Sequence, residues 1–210
     1  MKETNYCFDS ATPIIYKEKI DGEIVIESIS SAYEKHADDE IYVCVHEFNK
    51  NEHSTVLNWK SAKLCHTESI REIVIYLKPD NFMNTTLESD NVIRVTPNHV
   101  FPVLTPCGIK DKESYLIQTG DLIPFGNGRE IEEGANAEEV TNEFMLMDNT
   151  VQRLSYRHVM KVVVEDYEEN NENSFSKDFY GIVLVPEENI SKYVMICNGA
   201  ISHDSSVDYK

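Results

Sequence analysis

Three short stretches of this chain carry residues that can do chemistry on a polypeptide backbone: Cys7 in Cys-Phe-Asp-Ser-Ala-Thr-Pro-Ile, the pair Thr96 and His99 in Thr-Pro-Asn-His, and the run Ser202-His203-Asp204-Ser205. A cysteine thiol can attack the carbonyl that precedes it and convert the Tyr6–Cys7 amide into a thioester, provided that a neighbour strains the amide and supplies its nitrogen with a proton. An imidazole, with an unperturbed pKa of about 6.5, exchanges protons at neutral pH, and a hydroxyl can hydrogen-bond the reacting amide. At the other end, an Asn or Asp can cyclise onto its own carbonyl and cut the bond that follows. An adjacent histidine assists the departing group, and Ser205 is then the downstream nucleophile. Each piece has a plainer reading: Thr96 as a strand residue, His99 as a hydrogen-bonded core histidine, and 202–205 as a polar terminus.

These residues need a frame that gathers the chain's beginning, middle and end. Pro13-Ile14-Ile15-Tyr16 and Gly22-Glu23-Ile24-Val25-Ile26 read as strands around an Asp21-Gly22 turn, with Cys7 at the lip of the first β-structure. Glu40 to His46 and the β-branched run Ile70 to Leu77 add two more, and Asn91 to Thr96 leads into the central pair. Pro97 and Pro102 exclude a helix around His99 and put it at a strand end or bend. Tyr115 to Gln118, read with the strands, precedes a Thr119-Gly120-Asp121 turn. Arg157 to Val164, Phe179 to Val185 and Lys192 to Ile196 close the series, with turns at Asn127-Gly128 and Asn198-Gly199. The pattern predicts an all-β domain of about ten short strands. The acidic stretch 130–139 reads as a solvated loop, and Glu165 to Ser176 as a mobile insertion.

Composition narrows the function classes. At 210 residues and 41% hydrophobic, one domain is the default. A net charge of −18 lacks the basic footprint that nucleic-acid binding needs. No apolar run is long enough to span a membrane, and the opening residues have no signal-peptide core, so the expected location is cytoplasmic, or wherever a host protein resides. Five cysteines at irregular spacing do not form a disulfide framework and imply at least one free thiol.

Taken in order, the motifs resemble the conserved blocks of the Hint (hedgehog/intein) superfamily. Cys7 to Ile14 resembles the opening block of inteins, and Thr96-Pro97-Asn98-His99 their Thr-x-x-His block. Tyr115 to Ile123, with Gln-Thr-Gly-Asp-Leu, is similar to the Gly-Asp segment, and Tyr193 to Asp204 to the closing block. The span has no room for a homing-endonuclease domain, so the resemblance implies a mini-intein or bacterial-intein-like domain with a horseshoe-like, pseudo-twofold Hint fold. It implies a domain from 7 to 204 between flanking extein segments 1–6 and 205–210. Cys7 would be the nucleophile of the N-to-S acyl shift and Thr96 and His99 its activators. His203 would assist C-terminal cleavage, Asp204 would cyclise, and Ser205 would accept the acyl group. The partners would be the chain's own flanks, acting in a monomer without metal or organic cofactor.

Departures from the family pattern bear on the chemistry. The usual terminal Asn is Asp204, whose carboxylate has no amide nitrogen with which to close a succinimide. A later-block histidine is replaced by Ser191, and an Asp of that block by Gly181. Asn198 is a weaker cyclising candidate, since Cys197 and Gly199 flank it without a histidine or a downstream nucleophile. Three other readings compete: a Cys-His thiol hydrolase acting on an external substrate, a non-catalytic acidic β-domain that binds a partner, and a metal site from Cys44, His46, Cys65 and His66.

Overall fold

In the computed structural model, the described residues are 6–49, 54–78, 91–125, 151–153, 155–167, 176–185, 193–196 and 199–205. They form fifteen strands: β1 (Phe8–Asp9), β2 (Pro13–Lys17), β3 (Val25–Ser28), β4 (Ile41–Asn49), β5 (Ser54–Ser69), β6 (Arg71–Leu77), β7 (Val92–Val95), β8 (Val100–Thr105), β9 (Gly108–Glu113), β10 (Leu122–Phe125), β11 (Val151–Arg153), β12 (Ser155–Asp166), β13 (Lys177–Leu184), β14 (Tyr193–Met195) and β15 (Ile201–His203). One α-helix, α1 (Ile29–His36), and a turn of 3-10 helix at Ser114–Leu116 complete the elements. Every strand pairing is antiparallel. The expected all-β architecture is what the chain adopts.

The shortest strand is the most central. Two-residue β1 lies between β7 and β13, with Phe8 opposite both Val95 and Tyr180 and wholly buried. Asp9 then anchors it: its carboxylate pairs with Lys177 Nζ at 2.5 Å. Lys177 also reaches the buried Glu72 at 2.8 Å, and Glu72 takes Arg94 at 2.5 Å. Burial works to lower the Lys177 pKa, but Asp9 and Glu72 outweigh it and hold the ammonium charged. A buried carboxylate is tolerable only when so compensated, and the compensation ties β13, β6 and β7 to the strand that follows Cys7.

Long strands connect this centre to the rest. The 16 residues of β5 pair with β4, β11 and β13. Strand β12 serves two sheets: Ser155 to His158 pair with β10, whereas the residues from Val159 onward pair with β6. The register shifts between Val159 and Lys161, the irregularity by which a strand bends and changes partners. The core is a cluster of Ile, Val and Phe, including Phe8, Ile75, Phe101 and Phe125.

Several sequence expectations are corrected. Strand β3 begins at Val25, after the Gly22 turn, and not at Gly22. Tyr115 and Leu116 are 3-10 helix and solvent-exposed, not strand. Glu165 and Asp166 extend β12, opposite Glu72 and Arg71, and are not part of an insertion. The helix α1 was not expected, because its sequence buries only Ile29 and Ala32. It forms through a Ser28 N-cap accepting from Ser31 N and through Lys35 and His36 in the last turn, where positive charge favours the helix dipole. The Asn127-Gly128 turn, the acidic stretch 130–139, Ser191, Cys197 and Asn198 lie outside the described residues.

Candidate active site

The polypeptide reaches the site from both ends. Cys7 directly precedes β1, and Thr96 directly follows β7, so the pairing of Phe8 with Val95 sets the two side by side. The Thr96 amide donates to the Cys7 carbonyl at 2.9 Å, and the Cys7 amide donates to Thr96 Oγ1 at 3.0 Å. The threonine hydroxyl lies 3.4 Å from the Cys7 carbonyl as a second donor. Thr96 thus holds Cys7 from both sides, by its carbonyl and by the nitrogen that joins it to Tyr6.

Thr96 to His99 is a tight turn, closed by His99 N donating to the Thr96 carbonyl at 3.1 Å. Pro97 supplies the fixed φ that such a turn needs. Ser114 staples it: its hydroxyl reaches the Thr96 and Pro97 carbonyls at 2.9 and 2.6 Å, and its amide donates to the His99 carbonyl at 2.6 Å. The His99 ring is wedged between Phe8 and Phe101, with centroids 4.4 and 5.0 Å away. It is wholly buried, and neither ring nitrogen meets hydrogen-bond geometry with a described residue. Burial, with the His203 charge, pushes its pKa down to about 3, against a weaker pull from the Tyr6 backbone. The imidazole is neutral at pH 7.

The far end enters through β15. Ser205 N donates to the Ile182 carbonyl at 2.7 Å, and Ile182 N donates to Ser205 Oγ at 3.1 Å, so β13 fixes both the backbone and the hydroxyl. Ser205 Oγ in turn donates to the Tyr6 carbonyl oxygen, closing the gap between residues 199 positions apart. Asp204 Oδ2 accepts from Leu184 N at 3.3 Å. His203 Nδ1 lies 3.0 Å from the Asp204 carbonyl and 3.0 Å from its Oδ1. Two acceptor oxygens facing one nitrogen require that Nδ1 carry the proton.

All six residues singled out from the sequence, Cys7, Thr96, His99, His203, Asp204 and Ser205, therefore fall in one buried cluster. Three others belong to it that sequence reasoning missed or misread. Ser114 carries no motif signal. Cys65 was weighed only as a metal ligand, yet its sulfur and the Ser205 hydroxyl lie together over Gly181. Gly181, opposite Cys65 on β13, is a steric necessity: a Cβ there would sit 2.2 Å from Ser205 Oγ and 2.7 Å from Cys65 Sγ. The four residues of the metal reading are not gathered. Cys65 and His66 are neighbours in a strand and so face opposite ways; Cys44 packs with Ile15, Ile24 and Leu57, and His66 pairs with Asp178 at 2.7 Å. Among the described residues no cluster of three or more such side chains is arranged to hold a metal ion. Among the described residues, Cys7, Cys44, Cys65 and Cys107 are in no disulfide.

Neither a family model nor a curated protein matches this sequence. Solved structures do match. The transcription factor IIB Mvu mini-intein aligns with a TM-score of 0.59 at 15% identity, over 95% of this chain and 99% of that one. The Pab PolII intein aligns at 0.59 and 14% identity, over 94% and 100%. A DnaB intein from Synechocystis sp. PCC 6803 aligns at 0.55 and 11% identity, over 96% and 99%. Such coverage at such low identity is a statement about architecture: the chain has the Hint fold of the inteins.

Proposed function

We propose that this chain is a self-processing protein-splicing domain, residues 7–204, acting on its own flanks 1–6 and 205–210. The observation that carries the reading is the hydrogen bond from Ser205 Oγ to the Tyr6 carbonyl. It sets a hydroxyl from one end of the chain on the one carbonyl that Cys7 can attack. Holding reactants in this way can be worth roughly 7 to 11 kcal/mol of barrier.

The steps follow from the contacts. The Cys7 sulfur attacks the Tyr6 carbonyl carbon while the Ser205 hydroxyl stabilises the charge growing on the oxygen. The Cys7 nitrogen departs, and the thiol proton ends on it. Thr96 holds that nitrogen in line, and His99, neutral and dry, accepts and returns protons with little solvent to reorganise. Ser205 Oγ then displaces the Cys7 thiolate from the thioester. Asp204 closes on its own carbonyl, whose oxygen is polarised by the His203 Nδ1–H, and frees the Ser205 amine. An O-to-N acyl shift joins Tyr6 to Ser205. Thiol, imidazole and hydroxyl suffice, so the scheme needs no cofactor. With Asp204 in place of Asn the closure runs through an anhydride, which makes it the slow step and favours cleavage over ligation. The splicing scheme is common to a mini-intein and a bacterial-intein-like domain.

Burial argues against an external thiol hydrolase, because Cys7 and His99 are wholly enclosed and an outside ester has no approach to them. A purely structural acidic domain would be indifferent to Cys7. The test is expression between two reporter proteins: the parent gives the excised domain or a released reporter, whereas Cys7→Ala gives only uncut fusion at the Tyr6–Cys7 bond. Equal processing of the two overturns the proposal.

A further inference from the structure

We propose that Tyr193, strapped by Asp111, is the positioning residue that holds His203 through C-terminal cleavage, an inference that rests on the splicing reading above. Tyr193 opens β14 and lies directly opposite His203 on β15, so the two side chains leave the same face of the strand pair. Their rings meet nearly edge-on, with centroids 5.5 Å apart and planes at 74°, an arrangement that aromatic pairs prefer. The Tyr193 ring is itself fixed. It is buried in a small apolar cluster with Ile109 and Ile201, against which Leu104 and Tyr156 pack. At its far end the hydroxyl donates to Asp111 Oδ1 at 2.7 Å. A strap therefore runs from β9 through Tyr193 to His203. A phenylalanine ring would fill the same cluster, so the hydroxyl adds what apolar packing does not: an anchor on another strand.

The strap matters because of what else holds the imidazole. His203 Nδ1 faces the Asp204 carbonyl oxygen and Oδ1, each at 3.0 Å. Both acceptors belong to the reacting residue. As Asp204 closes on its own carbonyl in the scheme above, they are displaced. An imidazole oriented by those acceptors can then turn about its Cβ–Cγ bond and carry Nδ1–H off the carbonyl oxygen. Tyr193 and Asp111 take no part in the bond changes and stay where β14 and β9 put them, so the charge growing on that oxygen keeps its donor. The strap also joins the two junctions. Strand β8 starts at Val100, next to His99, and pairs with β9, which carries Asp111. One hairpin thus continues from His99 and, through Asp111 and Tyr193, reaches His203.

The experiment compares Tyr193→Leu, Tyr193→Phe, Asp111→Ala and the Tyr193→Phe/Asp111→Ala double variant with the parent. Intact mass follows release of residues 205–210 and, separately, thiol-induced release of residues 1–6. Nitrogen-15 NMR of the histidine-labelled chain reports which ring nitrogen of His203 carries the proton, independently of turnover. The parent should show the Nδ1–H tautomer. Tyr193→Leu, which keeps apolar bulk and loses the ring, should release 205–210 about tenfold slower or more, with mixed tautomer signals for His203. Tyr193→Phe and Asp111→Ala should each slow that release about threefold, and the double variant no more than either, since both cut one strap. Release of residues 1–6 should stay within about twofold of the parent in all four. Parent-like release of 205–210 with an unchanged tautomer in Tyr193→Leu overturns the proposal, as does equal slowing at both junctions, which would report damage to the fold. Effects of Tyr193→Phe and Asp111→Ala that multiply in the double variant overturn the strap. A parent that releases neither end overturns the splicing reading alone. The His203 tautomer in Tyr193→Leu then decides the positioning role: mixed signals uphold it, and a single Nδ1–H form sinks it.

Discussion

The two junctions that the splicing proposal assigns to this molecule are built from similar parts and held in opposite ways. At the N-terminal junction the imidazole of His99 is wrapped by Phe8 and Phe101 with neither nitrogen in a hydrogen bond among the described residues. At the C-terminal junction His203 is committed to Asp204, and Asp204 to Leu184. A buried, neutral imidazole keeps a lone pair at the first amide, while a carboxylate already engaged by two donors is a weak nucleophile. Under the proposed splicing scheme, the difference means that the first step is prepared for and the last is restrained. Thioester formation should outrun C-terminal cleavage.

The largest expected effect that would break this contrast is at the N-terminal side. His99→Ala should slow thiol-induced release of residues 1–6 by roughly 10² to 10⁴, measured by intact mass, while the C-terminal junction remains as slow as in the parent. A comparable slowing at both ends would mean that His99 serves the fold and not the first step. Next is Asp204→Asn, which supplies an amide nitrogen able to close a succinimide and should release residues 205–210 about tenfold faster or more. If that variant processes no faster, Asp204 is not the cyclising residue.

The smallest effect separates burial from chemistry. His99 and His46 are both wholly buried, and burial lowers their pKa values from 6.5 to about 3 and about 4. Each takes up a proton on unfolding once pH drops below its unfolded value. The stability of the neutral forms is therefore complete above about pH 6.5 and is lost as pH falls through the window between unfolded and folded values, by up to ~1.4 kcal/mol per pH unit for each histidine. Denaturant melts between neutrality and about pH 5 should show this slope, and His46→Gln should roughly halve it without changing release of residues 1–6. A slope untouched by His46→Gln would place the titration elsewhere.

How much of this was legible beforehand depended on distance along the chain. The β-branched runs of β6 and β13 announce themselves, because Ile73-Val74-Ile75 is buried on both faces and needs no partner to be recognised. The residues that gather in the candidate site were legible too, since Cys7, Thr-Pro-Asn-His and Ser-His-Asp-Ser are each contiguous motifs. What stayed hidden was whatever strand register creates. Cys65 enters the site only because it lies opposite Gly181, and Ser114 only because a 3-10 turn brings it beneath Thr96 and Pro97. Gly181 read as a lost proton-handling side chain, whereas its lack of a Cβ is what lets Ser205 and Cys65 approach. A helix such as α1, with two buried anchors and a serine cap, carries too weak a periodicity to stand out.

The central claim is that the Tyr6–Cys7 amide is the bond this fold is built to break. The most direct measurement is the intact mass of the purified chain incubated with dithiothreitol, alongside Cys7→Ala. The account predicts a thiol-dependent loss of residues 1–6 from the parent, with that segment recovered as its dithiothreitol thioester, and none from Cys7→Ala. Release of the same segment from both proteins, or from neither, would contradict it.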